Sequence, residues 1–143
     1  MSTPEFNNAT DLSKHQPGVD PALFEERAAL PASIVGNWVN VNAASRGLVR
    51  ITLQAGPTGL TVHAYGSCSP TPCDWGVAPA RAYSAGVDAK PAEAFTAVYK
   101  QGFKESILTG QLERGMLAVD NFSTFLDGSS RNDYHSRDYF RRG

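Results

Sequence analysis

The sequence lacks the features that mark a nucleic-acid-binding or membrane-spanning protein. Its 143 residues carry 13 Lys and Arg against 14 Asp and Glu, which gives a net charge of −1. Such a balance provides no basic surface for nucleic acid or for an anionic membrane. The sequence also has no apolar run of about 18 residues, the length that a membrane-spanning helix needs. We therefore expect neither nucleic acid nor a membrane among its partners.

Motifs of the common catalytic and cofactor sites are missing as well. The sequence has no G-x-S-x-G, no phosphate-binding loop, no H-E-x-x-H and no dinucleotide-binding glycine pattern. A structural zinc site needs about four ligands. Only Cys68, Cys73, His63 and Asp74 lie close together in sequence, and C-x4-C is a poor match to the usual C-x2-C spacing. The sequence therefore predicts no metal and no cofactor.

The N-terminal region differs in composition from the rest of the chain. It has no basic start followed by an apolar stretch, so we expect no secretory signal and a cytoplasmic location. Residues 1–19 have few apolar side chains and predict a flexible arm. Asp20 as N-cap, Pro21 at the first helical position and Pro31 as a stop predict a short helix at about 20–30. The expected division is an arm with this helix over residues 1–33 and a folded body over 34–143.

The body contains eight strand-like runs separated by turn residues. Alternation is clear in the second run, where Val49, Ile51 and Leu53 share one face and Arg50 and Thr52 share the other. No strong helical period lies between the runs, and the short connections favour antiparallel neighbours. The predicted fold is all-β, an antiparallel up-and-down barrel of about eight strands whose interior is either filled or holds one small ligand. The runs are 35–41, 48–54, 60–66, 75–84, 93–101, 104–113, 116–127 and 133–142.

Two short motifs resemble known families. Gly36-Asn37-Trp38, at the start of the first predicted strand, resembles the GxW signature of the calycin superfamily, which includes the lipocalins and avidins. The resemblance implies an eight-stranded barrel with the Trp near its closed end and a basic residue of the last strand packed on it, a role that would suit Arg137 or Arg141. The segment C-x4-C-D-W-G, with a later D-G-S-x-R-x-D-Y, resembles an uncharacterised bacterial family of small β proteins, which implies no activity.

The segment CSPTPC carries both cysteines of the sequence. In a reducing compartment Cys68 and Cys73 would stay thiols, whereas in an oxidising one they could close a small loop. Such a disulfide would stabilise a hairpin tip by about 2 kcal/mol. The alternative is a redox or ligand-gating loop, and a thiol nucleophile would need a base such as His63 within hydrogen-bond reach.

Several residues are candidates for the mouth of a ligand-binding barrel. Trp75 could stack on a ligand and Asp74 could bind it, although an Asx-turn aspartate beside a shielding Trp is the alternative. Arg131 could hold a carboxylate or phosphate at the mouth, or be solvated in its turn. Tyr134, and Tyr99 among the many aromatic residues, complete the candidate lining.

The remaining candidates are general acids or bases. His63, Lys104 and Asp120 would be catalytic if they pointed into the barrel, and solvated if they pointed out. The favoured function is a calycin-like barrel that binds a small organic molecule at its mouth. The alternatives are an isomerase or cyclase of secondary metabolism that uses the same cavity, and a ligand-free structural or oligomerisation module. A homo-oligomer is a further possibility, since avidin-like barrels associate through their outer faces.

Overall fold

The protein is represented by a computed structural model that describes residues 31–143, so the predicted arm and helix at about 20–30 lie outside the described residues. A 3-10 turn at Pro31–Ser33 precedes eight strands. These are β1 (Gly36–Asn40), β2 (Leu48–Gly56), β3 (Gly59–Gly66), β4 (Cys73–Ser84), β5 (Ala92–Lys100), β6 (Lys104–Glu113), β7 (Met116–Phe125) and β8 (Tyr134–Arg142).

The strands form a closed barrel in chain order. Each pairs antiparallel with its neighbours in the chain, and β1 closes the barrel by pairing with β8 through Asn40 and Phe140. This arrangement confirms the predicted eight-stranded up-and-down barrel. The fourth run is one continuous strand despite Pro79. Within residues 31–143, no helix has the length and apolar character needed to cross a bilayer.

Strand alternation places one apolar side-chain set inside the barrel. On β2, Ile51 and Leu53 are buried, while Arg50 and Thr52 face outward. The phenyl ring of Phe95 fills the space over Gly110, where a Cβ would lie 2.3 Å from a ring carbon. The large side chains that fill the interior of the barrel include Trp38, Phe95, Phe140, Ile34, Ile51, Leu53, Leu108 and Leu117.

The end of the barrel where β1 begins and β8 finishes is closed by Trp38, and we call it the closed end. The Trp38 indole N–H donates to the carbonyl of Ile34 at 2.9 Å, and the Arg142 guanidinium lies 4.2 Å from its ring centroid. Arg142 also donates to the carbonyl of Ser33 at 2.7 Å. A glycine is required at Gly36 because its φ is +132° and a Cβ there would meet the Arg142 guanidinium at 2.6 Å.

The cation over Trp38 is therefore Arg142 rather than Arg137 or Arg141. In β8 the even-numbered side chains face the interior, as the buried Phe140 shows, while the odd-numbered ones face outward. Arg137 accordingly lies on the outer face, where it pairs with Asp120. The calycin resemblance implies a basic residue over this Trp, and Arg142 occupies that place. Arg142 lies on the inward face of β8, whereas Arg137 and Arg141, the two expected residues, lie on its outward face.

Candidate functional site

The opposite end of the barrel, where β6 begins and β7 finishes, has a polar interior, and we call it the open end. Four polar side chains are buried there: Lys104 at 9% exposure, Ser106 at 0%, Asn121 at 3% and Ser123 at 2%. Alternation puts all four on the inward face of β6 or β7, in line with Leu108 and Val119. Polar side chains are seldom buried without a hydrogen-bonding or functional reason, so these four define the candidate site.

Three of these side chains form one hydrogen-bonded chain. The hydroxyls of Ser106 and Ser123 are 2.8 Å apart, and the Ser123 hydroxyl donates to Asn121 Oδ1 at 2.9 Å. A hydroxyl carries a single proton, so Ser106 must be the donor to Ser123. Within residues 31–143 the Asn121 amide nitrogen donates no hydrogen bond. The chain therefore ends in an amide whose donors are unused, which we name the Ser–Ser–Asn chain.

The segment Asp74-Trp75-Gly76 directs an aromatic ring into this end. The Asp74 carboxylate accepts from the Gly76 backbone N–H at 2.7 Å and from His63 Nε2 at 2.6 Å on the outer face. These two bonds, that of Gly76 first, hold the pKa of Asp74 below its ordinary value. Gly76 has a φ of +82°, which lets the pairing with β3 shift register here. Asp74 thus stabilises the turn from outside while Trp75 points inward.

Tyr99 stabilises the register shift between β3 and β4 from inside the barrel. Its hydroxyl accepts from the backbone N–H of Ala64 at 3.0 Å and lies 2.8 Å from the carbonyl of Gly76, to which it donates. The register shift would otherwise leave these backbone groups buried without partners. Burial raises the pKa of Tyr99 to about 12, so the hydroxyl stays protonated. Tyr99 is therefore a structural residue of the site whose hydroxyl is already engaged.

Lys104 covers Trp75 at the open end. The Trp75 indole packs against Gly66, where a Cβ would lie 2.7 Å from Nε1, and contacts the edge of Tyr99 at 5.5 Å between ring centroids. The Lys104 ammonium lies 4.4 Å from the Trp75 centroid and 5.9 Å from that of Phe103. It makes no hydrogen bond or ion pair with any residue of the described part of the chain. Within residues 31–143, the charge of Lys104 therefore interacts with the two ring faces alone.

A disulfide closes the loop that leads into Trp75. Cys68 and Cys73 are bonded, with their Cα atoms 5.3 Å apart. The bond fixes the start of β4 one residue before Asp74. Disulfides persist mainly in oxidising compartments, so the cytoplasmic location stays a prediction that this bond does not favour.

Aromatic side chains form a rim around the open end. Arg131 lies 4.3 Å from the ring centroid of Phe125 and 5.5 Å from that of Phe103. Its guanidinium donates to the Asp127 carboxylate at 2.6 Å, so its charge is balanced. Tyr134 lies beside Phe125, 6.2 Å between ring centroids, and is exposed. Of the ligand-binding candidates, Trp75 and Tyr99 thus lie in the interior, Arg131 and Tyr134 lie at the rim, and Asp74 lies outside.

The three catalytic candidates are not brought together. His63 lies on the outer face with Asp74, and Asp120 lies on the outer face of β7. Asp120 accepts two hydrogen bonds from Arg137, at 2.9 and 3.0 Å, and one from His135 at 2.7 Å. Arg137 is the main cause that lowers its pKa. Only Lys104 points into the barrel.

Sequence reasoning missed most of the polar interior. The sequence analysis selects Lys104 as a candidate in either orientation, and it does not select Ser106, Asn121 or Ser123. The alternation of β7, read from the buried Leu117 and Val119, would have found Asn121 and Ser123.

Four hollows lined by described residues lie outside this interior. A groove of about 640 Å³ borders the closed end between Pro31, the β2–β3 turn and the end of β4. The other three lie on the outer surface of strands β4 to β8. Among residues 31–143, no group of three or more His, Cys, Asp or Glu is arranged to hold a metal ion.

Comparison of the chain with protein-family models, with curated proteins and with solved structures finds no match in any of the three. The barrel agrees with the fold that the calycin resemblance implies, and membership of that superfamily stays a prediction. The same holds for the bacterial family suggested by C-x4-C-D-W-G.

Proposed function

We propose that the protein binds a small organic molecule at the open end of its barrel. The observation that carries this proposal is the buried Ser–Ser–Asn chain, whose terminal amide has unused donors. A barrel interior that served only as a core would be filled with apolar side chains, as the closed end is. Within residues 31–143 the amide donors of Asn121 are unused, so they are available to bind an acceptor atom of a ligand and to fix its orientation.

A second unpaired group supports the same location. Gln101 follows β5 and lies next to Lys104 in the β5–β6 connection, where its backbone N–H donates to the Lys104 carbonyl at 2.9 Å. Its side-chain oxygen is buried and has no hydrogen-bond partner in the part of the chain that the structure describes. Acceptor and donor groups are therefore both available at the open end, which suits a ligand with polar substituents.

The side chain that covers the open end also suits the entry of a ligand. Lys104 is the side chain that covers this region from outside. A lysine has a long flexible stem, so it can move aside without disturbing the strands. Entry of a ligand would then need no opening of the barrel.

The test compares two leucine substitutions on β6. Ser106→Leu would fill the open end, whereas the matched control Thr109→Leu adds the same side chain on the outward face of the same strand. The probe is the neutral fluorophore N-phenyl-1-naphthylamine. We expect saturable fluorescence enhancement with the wild type and Thr109→Leu, and its loss with Ser106→Leu.

Two results would overturn the proposal. One is the absence of saturable binding by the wild type, and the other is unchanged binding by a folded Ser106→Leu. Because Ser106→Leu adds volume to a packed interior, an independent measurement on the wild type is included. Titration with the probe should shift the backbone amide resonances of Ser106 and Ser123 in preference to those of Leu53 and Leu117 at the closed end.

A further inference from the structure

Lys104 is the least satisfied charged group of the open end. Its side chain is 9% exposed, and its ammonium faces the rings of Trp75 and Phe103. An ammonium has several donors, and a ring face satisfies none of them as fully as an oxygen does. Across the described part of the chain, no oxygen lies within hydrogen-bonding or ion-pairing distance of it. Buried lysines without a counter-charge are rare in proteins.

The neighbouring carboxylates are placed so that none of them neutralises Lys104. Glu105, the next residue, lies on the outward face of β6, directly opposite Lys100. Asp127, in the β7–β8 loop, is bound to Arg131. Arg131, which borders the same Phe103 ring at the rim, is itself paired with Asp127. Between these two cations of the open end, Lys104 is therefore the one without a carboxylate partner within residues 31–143.

We infer that the molecule bound at the open end carries an anionic group, a carboxylate or a similar oxyanion, and that Lys104 receives it. This inference rests on the proposed function and names the ligand class. An oxyanion at Lys104 would form a charge-assisted hydrogen bond beside the rings of Trp75 and Phe103. The Ser–Ser–Asn chain lies one inward position below Lys104 on β6, so its donors would bind a polar group deeper in the same molecule.

The contact between Lys104 and Trp75 gives the inference a spectroscopic signature. When the ammonium turns toward an anion, it leaves the face of the indole, and the emission of Trp75 changes. The only other tryptophan, Trp38, is buried at the closed end under Arg142 and should not respond. Trp75→Phe would remove the signal and so show that it comes from Trp75 rather than from Trp38.

The decisive experiment uses two fluorophores that differ by one charge. 8-Anilino-1-naphthalenesulfonate has the rings of N-phenyl-1-naphthylamine with an added sulfonate. Both would be titrated into the wild type, into Lys104→Met and into the control Lys100→Met, which removes a lysine from the exposed outer face of β5. We expect Lys104→Met to weaken binding of the sulfonate about tenfold and to leave the neutral probe within about twofold, since a charge-assisted bond contributes roughly this much.

The remaining outcomes are distinguishable. If both probes bind the wild type and Lys104→Met binds the sulfonate unchanged, the anionic class is wrong while the proposed function stands. If neither probe binds saturably, both proposals fail. Lys104→Gln provides a second neutral variant should Lys104→Met fold poorly, and Lys104→Arg should restore sulfonate binding because it restores the charge.

Discussion

Both ends of the barrel place a cation over a tryptophan, and the two pairs differ in what else the cation does. At the closed end Arg142 lies 4.2 Å from Trp38, and at the open end Lys104 lies 4.4 Å from Trp75. Arg142 also donates to backbone carbonyls of the segment that enters β1, so its hydrogen-bonding capacity is used. Lys104 has no such partner within residues 31–143.

Under the proposed function, the same kind of contact stabilises the fold at one end of the barrel and receives a ligand at the other. A guanidinium is planar and presents its donors in a fixed fork, which suits stacking and backbone contacts together. An ammonium is compact and its stem is flexible, so it can leave the ring when a better partner arrives. The burial of the two rings also differs, because Trp38 is a member of the buried apolar core, whereas Trp75 is partly buried and packs against that core beneath Lys104.

The largest expected difference between the ends is in the stability that each tryptophan provides. Trp38→Ala should lower the free energy of unfolding by about 3–5 kcal/mol, because it removes a fully buried ring and leaves a cavity. Trp75→Ala should cost clearly less, because Trp75 is only partly buried. Guanidinium unfolding of both variants measures the two effects. Equal losses of stability in the two variants would mean that the open end is packed like the closed end, and would contradict the difference described here.

The second expected effect concerns the Tyr99 hydroxyl, which stabilises the register shift between β3 and β4. Tyr99→Phe should lower the free energy of unfolding by about 1–3 kcal/mol at neutral pH, because the backbone N–H of Ala64 is left buried without an acceptor. Urea unfolding of the wild type and the variant measures the difference. A loss near zero would show that the hydroxyl does not support the turn that directs Trp75 inward.

The same substitution has a defined pH dependence. Folding raises the pKa of Tyr99 from an ordinary value of 10.0 to about 12, so the unfolded chain loses this proton first as the pH rises. The contribution of Tyr99 to stability is therefore fully present below pH 10.0 and is lost as the pH rises through about 12. Unfolding curves at a series of alkaline pH values should show the gap between wild type and Tyr99→Phe closing over this range.

The fold could be predicted from the sequence because its signals are local. Alternation and turn residues mark eight runs, and the run predicted over 104–113 coincides with β6. Gly36 and Trp38 locate the closed end by resemblance. The outward placement of His63 and Asp120 also follows from alternation once the apolar face of each strand is known, as Val62 and Val119 define it.

The site was harder to predict because its chemistry depends on pairings across strands. Nothing near Ser106 in the sequence indicates that Ser123, 17 positions away, faces it. The partners of Tyr99 lie on β3 and β4, which only closure of the barrel brings near. The preference for charged residues outside is sound on average, and it fails for Lys104 because two aromatic rings cover it.

A smaller expected effect distinguishes the arginines of β8. Arg142→Met should lower the free energy of unfolding by about 1 kcal/mol, because it removes a cation–π contact at a solvent-accessible position together with hydrogen bonds to two carbonyls. Arg141→Met, one residue earlier on the outward face, is the matched control and should change little. Thermal unfolding of both proteins measures the effect. Equal losses of stability in the two variants would mean that the contact of Arg142 with Trp38 does not stabilise the fold specifically.

The smallest expected effect is a gain in stability, and it tests the difference between Lys104 and Arg142 most directly. Lys104→Met should raise the free energy of unfolding by about 0.5 kcal/mol, because it replaces a lysine that is 9% exposed and has no counter-charge within residues 31–143 by an apolar side chain of similar shape. Chemical unfolding in the absence of any ligand measures it, with the exposed Lys100→Met as control. A clear loss of stability would mean that Lys104, like Arg142, stabilises the fold. A gain in stability, combined with weaker binding of the anionic probe, is the result expected of a residue that the fold tolerates for the sake of a ligand.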